Sequence, residues 1–235
     1  YKDGNPVMDI WGGLTDKDQK VVWERNTLAN VWSTTKGVAA ITLAYAVEKG
    51  LLDYEENVST YWPEFGCNGK EDITVGMLLS HQAGICGSSA TKAEDYYDQK
   101  LMSNELAQMT PIWEPGTASG YHSMTYGWLT SELIIRIPGK TLGNYFREEI
   151  ANPNEIDFHI GLPVSEEFRV AEMIPFPKET NSSDNHPNDA QVASGRGPNL
   201  LKHQNTRQWR ESEIPSANGQ GCASAIAKLY SLVVT

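Results

Sequence analysis

The 235-residue chain is 40% hydrophobic and 21% charged, a globular balance with enough apolar material for one large domain core. A formal charge of −11 and an isoelectric point near 4.9 argue against nucleic acid or an anionic membrane surface as partner. With a mean hydropathy of −0.44 and no long apolar run, no membrane span is expected.

In chain order, Pro6 to Trp11 alternates like a strand, Gly12-Gly13 offers a turn, and Val21-Val22-Trp23 offers a return strand, so a hairpin is expected. From Ser33 the spacing of Val38, Ile41, Leu43, Tyr45, Ala46 and Val47 predicts a helix that Gly50 stops. Leu51 to Pro63 reads as an extended loop and Ile73 to His81 as a short helix ending at Gly84. Thr91-Lys92-Ala93-Glu94 fits a capping box opening a helix through Met109. Glu114-Pro115-Gly116 is a turn, Ser123 to Ile137 a helix stopped by Pro138-Gly139, and Thr141 to Ile150 the start of another. Lys178 to Asn199, rich in Asn, Ser, Asp, Pro and Gly, predicts a long surface loop, and Ala223 to Val234 a final apolar helix.

Strands at the start and helices through the middle predict an α/β (α+β) architecture: an antiparallel sheet flanked by helices, with a large helical insertion. A single domain over 1–235 is expected, its α/β part about 1–55 and 205–235 and its mainly helical part about 56–204. Tyr1 opens almost directly into the expected strand and the chain stops in an apolar stretch without a cap, so a partial domain with an incomplete sheet is expected. Cys67, Cys86 and Cys222 cannot all pair with one another; three reduced thiols, with a lean towards a cytoplasmic setting, are the simplest reading.

The chemistry concentrates at Ser33-Thr34-Thr35-Lys36. A serine hydroxyl is a weak nucleophile until a base takes its proton. Residues three apart in the first turn of a helix share a face, so Lys36 can reach Ser33. Burial and the positive helix terminus both disfavour an ammonium there and draw its pKa towards that of a base. The same terminus offers backbone N–H groups to a developing oxyanion. By itself the tetrapeptide is weak, because Ser33 could be a plain helix cap and about one such match arises by accident in a chain of this composition. Ser89-Ala90-Thr91-Lys92 is such a match, in a polar stretch with no apolar run behind it.

The surroundings of Ser33 discriminate. Val31-Trp32-Ser33-Thr34-Thr35-Lys36-Gly37 and Val47-Glu48-Lys49-Gly50-Leu51-Leu52-Asp53 resemble the beta-lactamase-related serine hydrolases: class C beta-lactamases, D-alanyl-D-alanine peptidases, family VIII carboxylesterases and animal beta-lactamase-like proteins. The resemblance runs on in order through Tyr61 to Phe65, Leu78-Leu79-Ser80-His81-Gln82-Ala83-Gly84-Ile85, Trp113 to Thr117, Gly120-Tyr121-His122-Ser123 and Arg136 to Lys140. Its tone is closest to the carboxylesterase branch.

The resemblance implies that Ser33 is the nucleophile, Lys36 its base, and Tyr121-His122-Ser123 the family's Tyr-x-Asn/Ser motif. Tyr121 would move a proton beside Lys36, and Ser123 would support it. His122 occupies the motif's variable middle position. His81 reads as a structural helix-end histidine, and Trp113 as a prop for the Tyr121 loop. An acyl-enzyme mechanism on a small-molecule ester, or an amide or beta-lactam, is implied, with no cofactor and no metal. A D-amino-acid peptidase, a beta-lactamase and a non-catalytic, self-assembling member of the family are the alternatives. The family's third motif, a Lys-Thr-Gly or His/Trp-x-Gly strand carrying the second oxyanion donor, has no convincing copy in residues 1–235.

Overall fold

A computed structural model describes residues 1–89, 92–174, 193–194, 198 and 200–234. Three two-residue strands, β1 (Ala29–Asn30), β2 (Phe158–His159) and β3 (Gln220–Gly221), form an antiparallel sheet in the order β1-β3-β2. Ala29 and Phe158 both face Gly221, and Asn30 and His159 both face Gln220. β3 can lie between its neighbours because Phe158 packs directly on Gly221, where a Cβ would collide with the ring.

Helices supply the core. α1 (Thr35–Glu48) buries Val38, Ala39, Thr42, Leu43 and Ala46, the inward stripe of a helix rich in alanine. It ends as the sequence predicts. Gly50 sits at φ +68° and donates to the Val47 carbonyl, while the Leu51 N–H reaches the Ala46 carbonyl, so two orphan carbonyls of the last turn are capped. The short α2 (Val58–Tyr61) and α3 (Val75–Leu79) follow; Thr74 caps α3 by accepting from the Met77 N–H. α4 (Gln99–Gln108) packs on α5 (Thr125–Arg136), which also meets α1 and α6 (Leu142–Phe146). Every residue of α5 from Thr125 to Ile134 is buried, so this helix is the spine of the core. α6 runs on into a π-helical turn over Arg147–Ala151. α7 (Arg207–Glu211) and α8 (Ala223–Ser231) flank β3 in sequence.

Buried ionic groups pin the loops. Lys70 is fully buried; its ammonium donates to the Cys67 and Met109 carbonyls and lies over the Phe65 ring, tying the loop after α2 to the end of α4. Arg169 pairs with Asp157 and Glu166, and Glu167 takes both Arg207 and Arg210, joining β2, the 3-10 turn at Val164–Arg169 and α7. Burial works against the Asp157 carboxylate, yet hydrogen bonds from His159 and Arg169 hold its pKa well below the usual range.

Several expectations need correction. The hairpin forms only as a remnant: Val21 to Trp23 returns antiparallel against Gly13 to Thr15, with the Thr15 and Trp23 N–H groups donating to the Val21 and Gly13 carbonyls, whereas among the described residues Pro6 to Trp11 pairs with nothing as a strand. Val7, Met8, Ile10, Trp11, Val21 and Val22 are exposed, so the alternating residues find no layer on which to bury an apolar face, and a two-strand ribbon alone is marginal in water. The helix expected from Thr91 starts later. Residues Ala93–Tyr97 form a 3-10 turn, and α4 begins only after Asp98, whose side chain accepts from the Leu101 N–H. Thr91 itself, and all but residues 193, 194 and 198 of the expected loop at Lys178 to Asn199, lie outside the described residues. The expected loop at Leu51 to Pro63 contains α2.

Candidate active site

β1 delivers the chain to Ser33. The Val31 N–H donates to the Gly219 carbonyl, and Trp32–Thr34 make a single 3-10 turn into α1. Trp32 adopts φ +46°, a left-handed conformation that costs a bulky residue on the order of 1–3 kcal/mol and persists only where its surroundings enforce it. The enforcement is visible. The Trp32 indole packs on buried Trp209 at 5.6 Å between centroids. Trp209 Nε1 donates to Asn30 Oδ1 at 2.8 Å, and that oxygen also accepts from Gln220 Nε2 at 3.0 Å. Thr35 Oγ1 donates to the Trp32 carbonyl and accepts from the Gly219 N–H. Ser33 emerges from this buried polar floor exposed to solvent.

Lys36 lies one turn on and is only 7% exposed. Its Nζ stands 3.2 Å from Ser33 Oγ, 2.7 Å from the Ser123 carbonyl and 2.8 Å from the Ser216 carbonyl. Burial lowers its pKa from 10.5 to about 8. The geometry suits a neutral amine. Two N–H bonds are taken by the two carbonyls, which leaves the nitrogen lone pair for the proton of the Ser33 hydroxyl. The Ser216 carbonyl arrives because Gly127 of α5 has no side chain; a Cβ there would stand 2.8 Å from the Ser216 nitrogen and 2.9 Å from Ser216 Oγ. That Oγ is buried and bonds to no described residue.

Tyr121 is brought to Lys36 by its ring face, with Nζ 4.8 Å from the ring centroid, and the side chain is 49% exposed. Its hydroxyl makes no hydrogen bond to Ser33 or Lys36. Ser123 takes part through its backbone carbonyl rather than its hydroxyl. His122, next to Tyr121, is fully buried. Its Nε2 accepts from the Ile85 N–H at 3.1 Å, which puts the ring proton on Nδ1, 2.7 Å from the Gly120 carbonyl. Burial, aided by His81, pulls its pKa to about 4 against the opposing Gly120 bond. With both nitrogens engaged, this ring has no lone pair free to act as a base. His81, at φ +64°, accepts the His122 N–H on Nδ1. Trp113 donates to the Gln82 carbonyl and meets the His122 ring edge-on.

The second match separates from the first. Ser89 is exposed and its N–H is bonded to Glu105, while the Lys92 N–H turns to Asp95. The oxygen that anchors Lys36 from residue 216 carries no sequence signal, because any residue has a carbonyl. The left-handed Trp32 is equally invisible in sequence. Among the described residues no group of three His, Cys, Asp or Glu is arranged to hold a metal, and no helix is long and apolar enough to cross a membrane.

The sequence profile of the beta-lactamase family matches residues 1–234. The chain is 35% identical over 254 aligned positions to the esterase/beta-lactamase LipL of Mycobacterium tuberculosis, a match covering 99% of this chain and 57% of that protein. A solved family VIII carboxylesterase superposes with a TM-score of 0.87 at 41% identity, covering 95% of this chain and 60% of that one. A penicillin-binding protein homolog from Caulobacter crescentus does so with a TM-score of 0.83 at 38% identity, over 93% of this chain and 58% of that one. The chain therefore spans little more than half the length of these relatives, and it belongs to the beta-lactamase family.

Proposed function

We infer that this member of the beta-lactamase family is a serine hydrolase that cleaves carboxylic esters through a covalent acyl-enzyme, with Ser33 as nucleophile and Lys36 as base. The observation that carries the reading is the Lys36 amine, 3.2 Å from Ser33 Oγ, held by two carbonyls and shifted to a pKa of about 8 by burial. Lys36 accepts the hydroxyl proton as Ser33 Oγ bonds to the substrate carbonyl carbon. The tetrahedral intermediate then expels the alcohol, which leaves with a proton returned from Lys36. Water, deprotonated in the same way, attacks the acyl-enzyme and frees the acid and Ser33. Tyr121, with its ring over the lysine, assists these transfers, and Ser123 supports Lys36 through its carbonyl. A backbone N–H donor beside Ser33 would stabilise the oxyanion as it develops. A second donor of the kind the family's downstream motif carries would add about 10²–10³ in rate.

A small ester substrate is favoured by the relatives described as carboxylesterase and esterase/beta-lactamase, and the chemistry needs no cofactor. The test is a substrate panel on the full-length protein: p-nitrophenyl esters of increasing acyl length, nitrocefin and a peptide ending in D-Ala-D-Ala, each with wild type and Ser33→Ala. Ester turnover that exceeds the other two and is lost in Ser33→Ala is expected. Faster nitrocefin or peptide turnover would transfer the reading to a beta-lactamase or a D-amino-acid peptidase, and no turnover at all would favour a non-catalytic role.

A further inference from the structure

Nothing bonded to the Tyr121 hydroxyl among the described residues holds this half-exposed side chain in place, yet its ring lies over the Lys36 amine. Its position must come from its neighbours. The residue before it, Gly120, donates its N–H to the His81 carbonyl at 3.0 Å and accepts from His122 Nδ1. The residue after it, His122, donates its N–H to His81 Nδ1 at 3.2 Å and accepts the Ile85 N–H on Nε2. The His81 ring packs 5.2 Å from the Tyr121 ring, 5.3 Å from His122 and 5.0 Å from Tyr126 of α5. His81 can do this because its backbone is left-handed, which turns the carbonyl and the ring towards the same segment.

We propose that His81 is a positioning residue: with His122 it clamps the Gly120–His122 segment on both sides of Tyr121 and so sets the Tyr121 ring against Lys36. The clamp needs an unprotonated Nδ1 on His81, because that atom accepts the His122 N–H. Burial, and then the nearby Lys36 charge, hold the His81 ring below its ordinary pKa and keep that acceptor available. His81 passes no proton to substrate in this role. This inference rests on the assignment of Tyr121 and Lys36 to the hydrolytic site, and it concerns what aims them.

The left-handed backbone supplies two informative replacements. Glycine and asparagine both tolerate φ +64°, but only asparagine returns a side-chain acceptor near the position of Nδ1. In the full-length protein, His81→Gly is expected to lower kcat for a p-nitrophenyl ester by about 10²-fold, the scale of a 1 Å misplacement, with KM little changed. His81→Asn is expected to recover most of that loss. Hydrogen exchange supplies a readout that needs no turnover: the His122 amide should lose protection in His81→Gly and keep it in His81→Asn. A histidine that merely stabilised the fold would lower the melting temperature in both variants and leave kcat intact. Unchanged kcat in His81→Gly, equal loss in the two variants, or equal protection of the His122 amide in wild type and His81→Gly would overturn the proposal. A wild type with no ester turnover would overturn the hydrolase reading instead, and the exchange result alone would then decide the clamp.

Discussion

Lys36 meets two carbonyls, a hydroxyl and an aromatic face, and no carboxylate is among these contacts. No opposite charge in that set offsets the cost of burying its ammonium, so desolvation dominates and the pKa falls to about 8. The kcat/KM for ester hydrolysis is therefore expected to rise with pH and level off with an apparent pKa near 8, as Lys36 gives up its proton; a pH profile between pH 5 and 10 checks this, and a limb near lysine's ordinary 10.5 would contradict it. The stability linkage has a definite sign. The folded pKa lies below the unfolded one, so between about 8 and 10.5 the unfolded chain binds more protons. The Lys36 contribution is complete above 10.5 and is lost as pH falls through about 8. Lys36→Met should flatten the rise in stability across that window in denaturant titrations while lowering acylation by about 10²–10⁴. At this scale the nearness of Lys36 to Ser33 was legible in the sequence, because helix periodicity puts positions three apart on one face. The sequence could not disclose the Ser216 carbonyl, 180 residues away in the chain, which acts through backbone chemistry common to every residue.

At the scale of elements, the site is a junction in which α1, α5 and the loop before β3 approach one another closely. Gly127 permits the approach. Gly127→Ala would drive a methyl into the backbone of Pro215 and Ser216 and push the Ser216 carbonyl off Lys36. We expect a loss of about 1–3 kcal/mol in denaturant unfolding, as for other overpacked sites, together with reduced ester turnover. Gly12→Ala, which has open space and no left-handed backbone, is the control and should be neutral. Helices were legible from their periodicity and punctuation. Gly50 closes α1, and Pro138-Gly139 follows the last turn of α5. The first arm of the N-terminal hairpin was misread because alternation reports a face that wants burial, whereas strand formation also needs a partner. The start of α4 was misread because Asp98, a good cap, lies seven residues beyond the more conspicuous Thr91.

Across the whole molecule, two histidines are held neutral around Tyr121 by burial. The unfolded chain protonates both near pH 6.5, whereas folded His122 resists to about pH 4. The His122 contribution to stability is whole above pH 6.5 and is lost as pH falls through about 4, so acid unfolding followed by circular dichroism should shift to lower pH in His122→Asn. A groove of about 610 Å³ lies between Ile10-Trp11 and Ala29, Val31 and Ile226, and it reaches Thr34, next to Ser33. Val7, Met8, Val21 and Val22 are exposed as well, and exposed apolar side chains on one segment favour association. Residues 1–235 expressed by themselves should therefore self-associate with rising concentration in sedimentation velocity. The double variant Ile10→Lys, Val22→Lys should shift them towards monomer, and a monodisperse monomer at all concentrations would contradict this.

A serine that forms the covalent bond to the acyl group is trapped by an electrophile that mimics the ester carbonyl, and Ser33 should be that serine. The direct measurement is intact mass and peptide mapping after a fluorophosphonate probe is added to the full-length protein. One adduct per chain is expected, mapped to Ser33, absent from Ser33→Ala and formed far more slowly in Lys36→Ala. A wild type that takes no adduct, or an adduct that persists at the same rate in Ser33→Ala, would contradict it.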